Sequence, residues 1–221
     1  MTDLPAYSCF VLDMDGTIVD TALDNARAAN EALVDLGLEP LPAETVRSFI
    51  GGGVPRIMQR CLGDLAEDRL DDAVAAFMRH YEADPVSLSR PYPGVVETLT
   101  RITAEGGRIG ICTQTPDHLA HDILAGTGLA RFIGVVVGPE SVTHRKPHPE
   151  PVLRVLAELG SGPEAAVLTG DAASDLQAAR AAGVTACAAT YGYGTTASLR
   201  AEDPAFEIAT FPDLLRRVRV G

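Results

Sequence analysis

Residues 10–17 read Phe-Val-Leu-Asp-Met-Asp-Gly-Thr, a short apolar run that ends in two carboxylates, Asp13 and Asp15, just ahead of Gly16. Phe10, Val11 and Leu12 suit a strand buried on both faces, so the acidic residues stand where that strand surfaces at its carboxyl end. Side chains at i and i+2 of an extended segment point to the same side, which puts two like charges together at the mouth of a core. Such a pair repels itself unless a cation or a shared proton holds it. Two kinds of chemistry use this arrangement: a divalent-metal site, and a nucleophile beside a general acid and base. The plain alternative is a solvated acidic turn bent at Gly16.

Three further groups of residues follow apolar runs in the same way. Thr113-Gln114-Thr115-Pro116 follows Ile109–Cys112 and offers a hydroxyl and free N–H groups at the start of a helix, which suits an oxyanion. Arg145-Lys146-Pro147-His148-Pro149 comes after Val135–Val137, and its prolines stiffen the backbone around Lys146, the only lysine among the 18 lysines and arginines. Gly170-Asp171-Ala172-Ala173-Ser174-Asp175 follows Ala166–Thr169 and again places carboxylates where a helix opens. Each has a structural alternative: a helix cap, a proline-rich loop, or capping by Asp171 or Asp175. Together they supply acidic oxygens for a hard cation, donors for an oxyanion and one fixed positive charge, which is an inventory for phosphoryl transfer.

The elements that must position these groups follow from periodicity. Helical patterns at Val95–Glu105, His118–Ala125, Pro149–Leu159 and Asp175–Ala182 alternate with short apolar runs that end at Thr185–Ala189. Alternation of this kind means βαβ units and a parallel sheet covered on both faces. The predicted fold is α/β: a doubly wound, Rossmann-like core with a parallel five-stranded sheet (residues 1–17 and 91–221) and an inserted all-helical cap domain (residues 18–90). Within the insert, Thr21-x-x-Asp24 resembles a capping box, and helices are expected to Gly37, from Pro42 to Phe49, from Val54 to Leu62 and from Leu65 to Tyr81, with no strand signal. In open sheets ligands bind beyond the carboxyl ends of the strands, where the four groups above would stand.

Composition sets the bounds. The chain has 221 residues and 46% hydrophobic content, which suits a soluble globular protein of one domain with a sizeable insertion, or of two small domains. No apolar run approaches the roughly 18 residues of a membrane span, and the first dozen residues lack a signal peptide's basic flank, so a cytoplasmic address and no membrane partner are expected. Cys9, Cys61, Cys112 and Cys187 are widely spaced and read as reduced core residues. A formal charge of −12 argues against nucleic acid as a partner, and requires that an anionic substrate be met by local positive charge.

Taken in order, Asp13-x-Asp15-Gly-Thr, Thr113, Lys146-Pro and Gly170-Asp171-x-x-x-Asp175 resemble the four motifs of the haloacid dehalogenase-like superfamily of aspartate-nucleophile phosphatases, and the resemblance covers nearly the whole chain. Pro91-Tyr92-Pro93-Gly94-Val95, Lys146-Pro147-His148-Pro149-Glu150-Pro151 and Tyr191-Gly192-Tyr193-Gly194 are most similar to its phosphoglycolate phosphatase branch. The resemblance implies that Asp13 is the nucleophile, forming an aspartyl-phosphate, and that Asp15 is the general acid and then the base. It implies Mg²⁺ held by the carboxylates of Asp13 and Asp171 and the main-chain carbonyl of Asp15, with Asp175 supporting from nearby. Thr113 and the N–H of Gln114 would hold the phosphoryl group, and Lys146 would neutralise it. The implied substrate is a small phosphorylated metabolite, 2-phosphoglycolate first, taken by a monomer or homodimer. A sugar-phosphate mutase of the β-phosphoglucomutase type and a non-catalytic regulatory protein with this fold are the alternatives.

The chain departs from the family's pattern at Gln114 and Thr115, where Asn and then Lys are common, and at Ala172, where serine is common. In the insert, Gly51-Gly52-Gly53 with Arg47 and Arg56 is the expected specificity element, Gly52 lining the substrate and the arginines meeting its carboxylate. The alternative is a helix break flanked by solvated arginines. Tyr191 and Tyr193 form a loop to which sequence assigns no role.

Overall fold

The computed structural model describes residues 4–221. Its main sheet contains β1 (Cys9–Leu12), β2 (Arg108–Cys112), β3 (Val135–Val137), β4 (Ala166–Gly170), β5 (Thr185–Ala189) and β6 (Phe206–Ile208). All pair in parallel, in the spatial order β3-β2-β1-β4-β5-β6. The sheet therefore has six strands where five were expected. Phe206–Ile208 adds to the edge beside β5. It is three residues long and carries Glu207, so it offers neither the continuous apolar run nor the length that marks a central strand.

Every residue of β1 and β4 is buried, as strands covered on both faces require. The period of two divides them between two cores. Cys9 and Val11 face a cluster with Val152, Val155 and Leu156 of α7 (Glu150–Leu159) and Ala178 and Ala179 of α8 (Ala173–Ala181). Phe10 and Leu12 face the other cluster, which includes Leu99 and Ile102 of α5 (Val95–Ala104) and Leu119 and Ile123 of α6 (Asp117–Gly126). Chain order reverses beside β1, so the crevice beyond the carboxyl ends of β1 and β4 is the topological switch point.

Four helices form the insert: α1 (Ala22–Asp35), α2 (Ala43–Arg47), α3 (Val54–Leu62) and α4 (Ala66–Ala83). Val19–Asp20 pairs antiparallel with Arg90–Pro91, so the chain enters and leaves the insert as a two-residue ribbon. That ribbon corrects the expectation of no strand in this stretch, being too short to leave a pattern. The expected capping box is also absent. Thr21 precedes α1 but its hydroxyl is turned to Asp15, and the buried Asp24 carboxylate accepts hydrogen bonds from the Leu88 N–H (3.1 Å) and the Ser89 hydroxyl (2.6 Å). Asp24 thus fastens the returning chain to α1 instead of closing the helix end. The four cysteines are free, and Cys9, Cys112 and Cys187 are buried.

Candidate active site

Strand pairing carries the acidic residues to one place. The Asp13 N–H still donates to the Thr169 carbonyl (2.9 Å), and the Thr113 N–H to the Val137 carbonyl (3.0 Å), so the ladders run one residue past each strand and fix where the loops begin. The buried Lys146 ammonium lies 2.7 Å from Asp13 Oδ1, 2.6 Å from Asp175 Oδ1 and 2.6 Å from the Cys112 carbonyl oxygen. The ammonium donates to Asp13 and to the Cys112 carbonyl and pairs by charge with Asp175, whose Oδ1 accepts no hydrogen bond. The other Asp175 oxygen accepts from the Ala172 N–H (3.0 Å), so the residue both opens α8 and pairs with the lysine.

Asp171 is held at both oxygens, by the Tyr193 N–H (2.6 Å) and by the Thr17 hydroxyl (3.2 Å), and that hydroxyl lies 3.3 Å from Asp13 as well. A side chain on Gly16, whose φ is +85°, would overlap the Asp171 carboxylate, which is why the Asp-x-Asp turn is closed by glycine. Asp15 accepts from Thr21 Oγ1 (2.5 Å) at one oxygen, and from Thr115 Oγ1 (2.7 Å) and Thr113 Oγ1 (3.4 Å) at the other. Structure thus brings Asp13, Asp15, Thr113, Lys146, Asp171 and Asp175 together.

Charge in this centre is unbalanced. Carboxylate oxygens of Asp13, Asp171 and Asp175 lie within 4.8 Å of one another, all three residues are buried, and one ammonium faces them. Burial pushes the Asp13 carboxyl well above the usual range; Lys146 pulls it down, while Asp175, Asp171 and Asp15 push it further up. Burial, with the Asp175 charge beside it, raises Asp171 to about 7. Burial alone would lower the Lys146 ammonium, but Asp13 and Asp175 outweigh it and keep the lysine charged. A cluster that holds its protons this tightly for want of positive charge is a ready site for a hard divalent cation.

Above the carboxylates lies a cavity of about 90 Å³ between the sheet and the insert. Gln114, Thr115 and Tyr193 wall it from the core, and Gly51, Gly52, Gly53 and Ile57 close it from the insert. Gly52 therefore stands where sequence placed it, and the two arginines do not. Arg47 lies outside the lining: its guanidinium is 3.7 Å from Asp20 Oδ2 and sits 5.2 Å from the centre of the Tyr193 ring. Arg56 is exposed on α3, its methylene stem packed over Gly52. Sequence reasoning missed Thr17, Thr21, Thr115 and Tyr193. The Tyr193 hydroxyl donates to Asp20 (2.9 Å) and accepts from the Thr21 N–H (2.8 Å), which ties the entry ribbon of the insert to the loop that holds Asp171. These partners are more than 170 residues apart in the chain, and no local pattern records them.

The model of the haloacid dehalogenase-like hydrolases matches residues 10–189, a span that runs from β1 to β5 and takes in Asp13, Asp15, Thr113, Lys146, Asp171 and Asp175. The chain belongs to the haloacid dehalogenase-like hydrolase family. A phosphoglycolate phosphatase of Cupriavidus necator is 41% identical over 218 residues, covering 96% of this chain and 94% of that protein. One from Aquifex aeolicus is 32% identical, with 93% and 94% covered. The crystal structure of a predicted phosphoglycolate phosphatase from Haemophilus somnus matches with a TM-score of 0.88 at 28% identity, over 95% of this chain and 97% of that one. A haloacid dehalogenase-like protein of Streptococcus pneumoniae shares the fold, with a TM-score of 0.85 at 24% identity over 95% and 97% of the two chains.

In this haloacid dehalogenase-like hydrolase the two departures after Thr113 have defined places. The Gln114 side-chain amide donates to the Lys146 carbonyl (3.0 Å), bracing the lysine loop, and the Thr115 hydroxyl holds Asp15. Ala172 leaves no hydroxyl beside Asp171, and the Tyr193 N–H and Thr17 supply the donors there.

Proposed function

We propose that this hydrolase is a Mg²⁺-dependent phosphomonoesterase that works through an aspartyl-phosphate on Asp13, with 2-phosphoglycolate as its substrate. The chain is an enzyme of the phosphoglycolate phosphatase-like kind, on identities of 32 to 41% over most of its length. The observation that carries the finer reading is the Asp13 carboxylate itself. It is held 2.7 Å from a buried ammonium, with Asp15 on the same turn and fixed by three hydroxyls.

Asp13 attacks phosphorus as the bond to the ester oxygen breaks, and Asp15 gives its proton to the leaving alkoxide. Water then attacks the phosphorus of the aspartyl-phosphate, Asp15 takes its proton, and the bond to Asp13 breaks to release phosphate. Thr21 and Thr115, gripping opposite oxygens of Asp15, hold it in place for both transfers. Lys146 offsets the repulsion between an anionic nucleophile and an anionic substrate. The buried, underneutralised set Asp13, Asp171 and Asp175 fits a divalent cation, with Asp13 and Asp171 as carboxylate ligands, the Asp15 main-chain carbonyl beside them and Asp175 in support. When bound, Mg²⁺ supplies charge neutralisation at the transferring phosphoryl group.

A cavity of about 90 Å³ favours a small ester. Residues 18–90 act as a cap that excludes water from it. No helix among the described residues is long and apolar enough to cross a membrane. Phosphate release from a panel of monoesters tests the reading. Metal-dependent turnover abolished by Asp13→Asn, with 2-phosphoglycolate ranked first, is expected. Turnover that survives that substitution would refute the aspartyl-phosphate, and a preference for hexose phosphates would refute the substrate.

A further inference from the structure

A substrate with a carboxylate as well as a phosphate needs a second cation, and the cavity lining provides none: Lys146 is its only basic residue and is already engaged by Asp13 and Asp175. Arg47 is taken up by Asp20 and the Tyr193 ring. Arg145 is different. Its guanidinium Nη1 lies 3.8 Å from where a Cβ of Gly53 would be, and the Gln114 carbonyl oxygen lies 3.6 Å from the same point. Gly53, Gln114 and Lys146 line the cavity and Arg145 does not, so its fork stands just outside the lining, against Gly53 in the seam between core and insert. Among the described residues it makes no ion pair, hydrogen bond or ring contact.

Its backbone is nevertheless fixed. Glu150 accepts from the Thr143 N–H (2.8 Å) and the His144 N–H (3.0 Å) on one side, and the Gln114 amide holds the Lys146 carbonyl (3.0 Å) on the other. An exposed guanidinium on a braced loop, next in sequence to the buried ammonium, is a pre-positioned anion receptor with no internal partner. Arg56 also makes no ion pair or hydrogen bond among the described residues, but it rides on the insert, so its distance from Asp13 depends on the cap.

We propose that Arg145 forms a carboxylate subsite beside the cavity, which makes the enzyme select small phosphorylated carboxylic acids over neutral phosphomonoesters of similar size. The proposal rests on the phosphomonoesterase reading for its ligand class, and binding separates the two. Calorimetric titration in Mg²⁺ buffer would compare 2-phosphoglycolate with ethyl phosphate, which lacks only the carboxylate, on Asp13→Asn protein and on the Asp13→Asn/Arg145→Ala and Asp13→Asn/Arg145→Lys doubles. Charge-assisted hydrogen bonds of this kind correspond to about 10- to 100-fold in affinity. The Arg145→Ala double should therefore lower the affinity ratio of 2-phosphoglycolate to ethyl phosphate by that factor, with partial recovery in the Arg145→Lys double. A ratio the same in all three proteins, or no measurable binding of 2-phosphoglycolate to the Asp13→Asn protein, overturns the subsite. A ratio that moves only with Arg56→Ala assigns the carboxylate to the insert and also overturns it. Tight, Arg145-dependent binding in a protein whose wild-type form releases no phosphate would leave the subsite standing and refute the phosphatase reading alone.

Discussion

Removing the divalent cation should set the buried carboxylates against the fold, with a pH dependence whose sign follows from Asp171. Its carboxyl is raised from 3.8 to about 7, by burial first and by the Asp175 charge second. Between those values the folded protein keeps a proton that the unfolded chain has released, so stability falls as pH rises. The contribution is whole below about pH 4 and is lost once pH has passed about 7. From pH 5 to 8 the loss spans about two pKa units, or about 3 kcal/mol. At about 2–4 °C per kcal/mol for a chain of this size, Tm in EDTA should drop by roughly 6–12 °C over that range. Asp13, raised by the same burial, acts in the same direction. Thermal unfolding followed by circular dichroism in EDTA, against millimolar Mg²⁺, reads this directly. Mg²⁺ should abolish the slope, and Asp171→Asn should flatten it in EDTA while making the metal-free protein more stable at pH 8 than wild type. An EDTA profile that is level from pH 5 to 8, or an Asp171→Asn profile as steep as wild type, would refute the electrostatic account of the centre.

Asp13→Asn should retain the wild-type circular dichroism spectrum and lose phosphate release by about 10³-fold or more. Lys146→Met strands the Asp13 and Asp175 carboxylates without their shared cation and should cost about 3–5 kcal/mol in urea unfolding, part of it recovered when Asp175→Asn is added. Gly16→Ala forces a side chain into a positive-φ turn and against Asp171, so a loss of about 1–3 kcal/mol together with weakened Mg²⁺ affinity by calorimetry is expected. Thr115→Val removes one of the hydroxyls on Asp15 and should lower kcat by about 10-fold with KM nearly unchanged; an equal change in KM would mean that Thr115 binds substrate instead.

Which residues gather at the centre can be read from the pattern of runs along the chain. β1, β2 and β4 are buried apolar runs with chemistry-bearing residues immediately after them, and a parallel sheet obliges everything that follows a strand to emerge at one edge. Asp13, Asp15, Thr113, Asp171 and Asp175 were legible for that reason, and Lys146, in the loop that follows β3, as the only lysine, framed by Pro147 and Pro149. The helical insert was legible from its period. The edge strand Phe206–Ile208 and the ribbon of Val19–Asp20 with Arg90–Pro91 were not, because two or three residues cannot establish a period and their pairing partners lie far away in the chain.

How each charge is held depends on contacts that folding makes. Thr21 reads locally as a helix cap, yet Asp15 competes for its hydroxyl and wins at 2.5 Å. Arg47 reads as a cation near a glycine loop, yet Asp20 and Tyr193 hold it away from the cavity, while Arg145, one residue before the lysine, stands just outside the lining with no ion pair among the described residues. Sequence spacing places a side chain on an element and a face, but a hydrogen bond or ion pair goes to whichever partner folding brings within about 3 Å. In this centre the Lys146–Asp13 and Tyr193–Asp20 bonds join residues 133 and 173 positions apart.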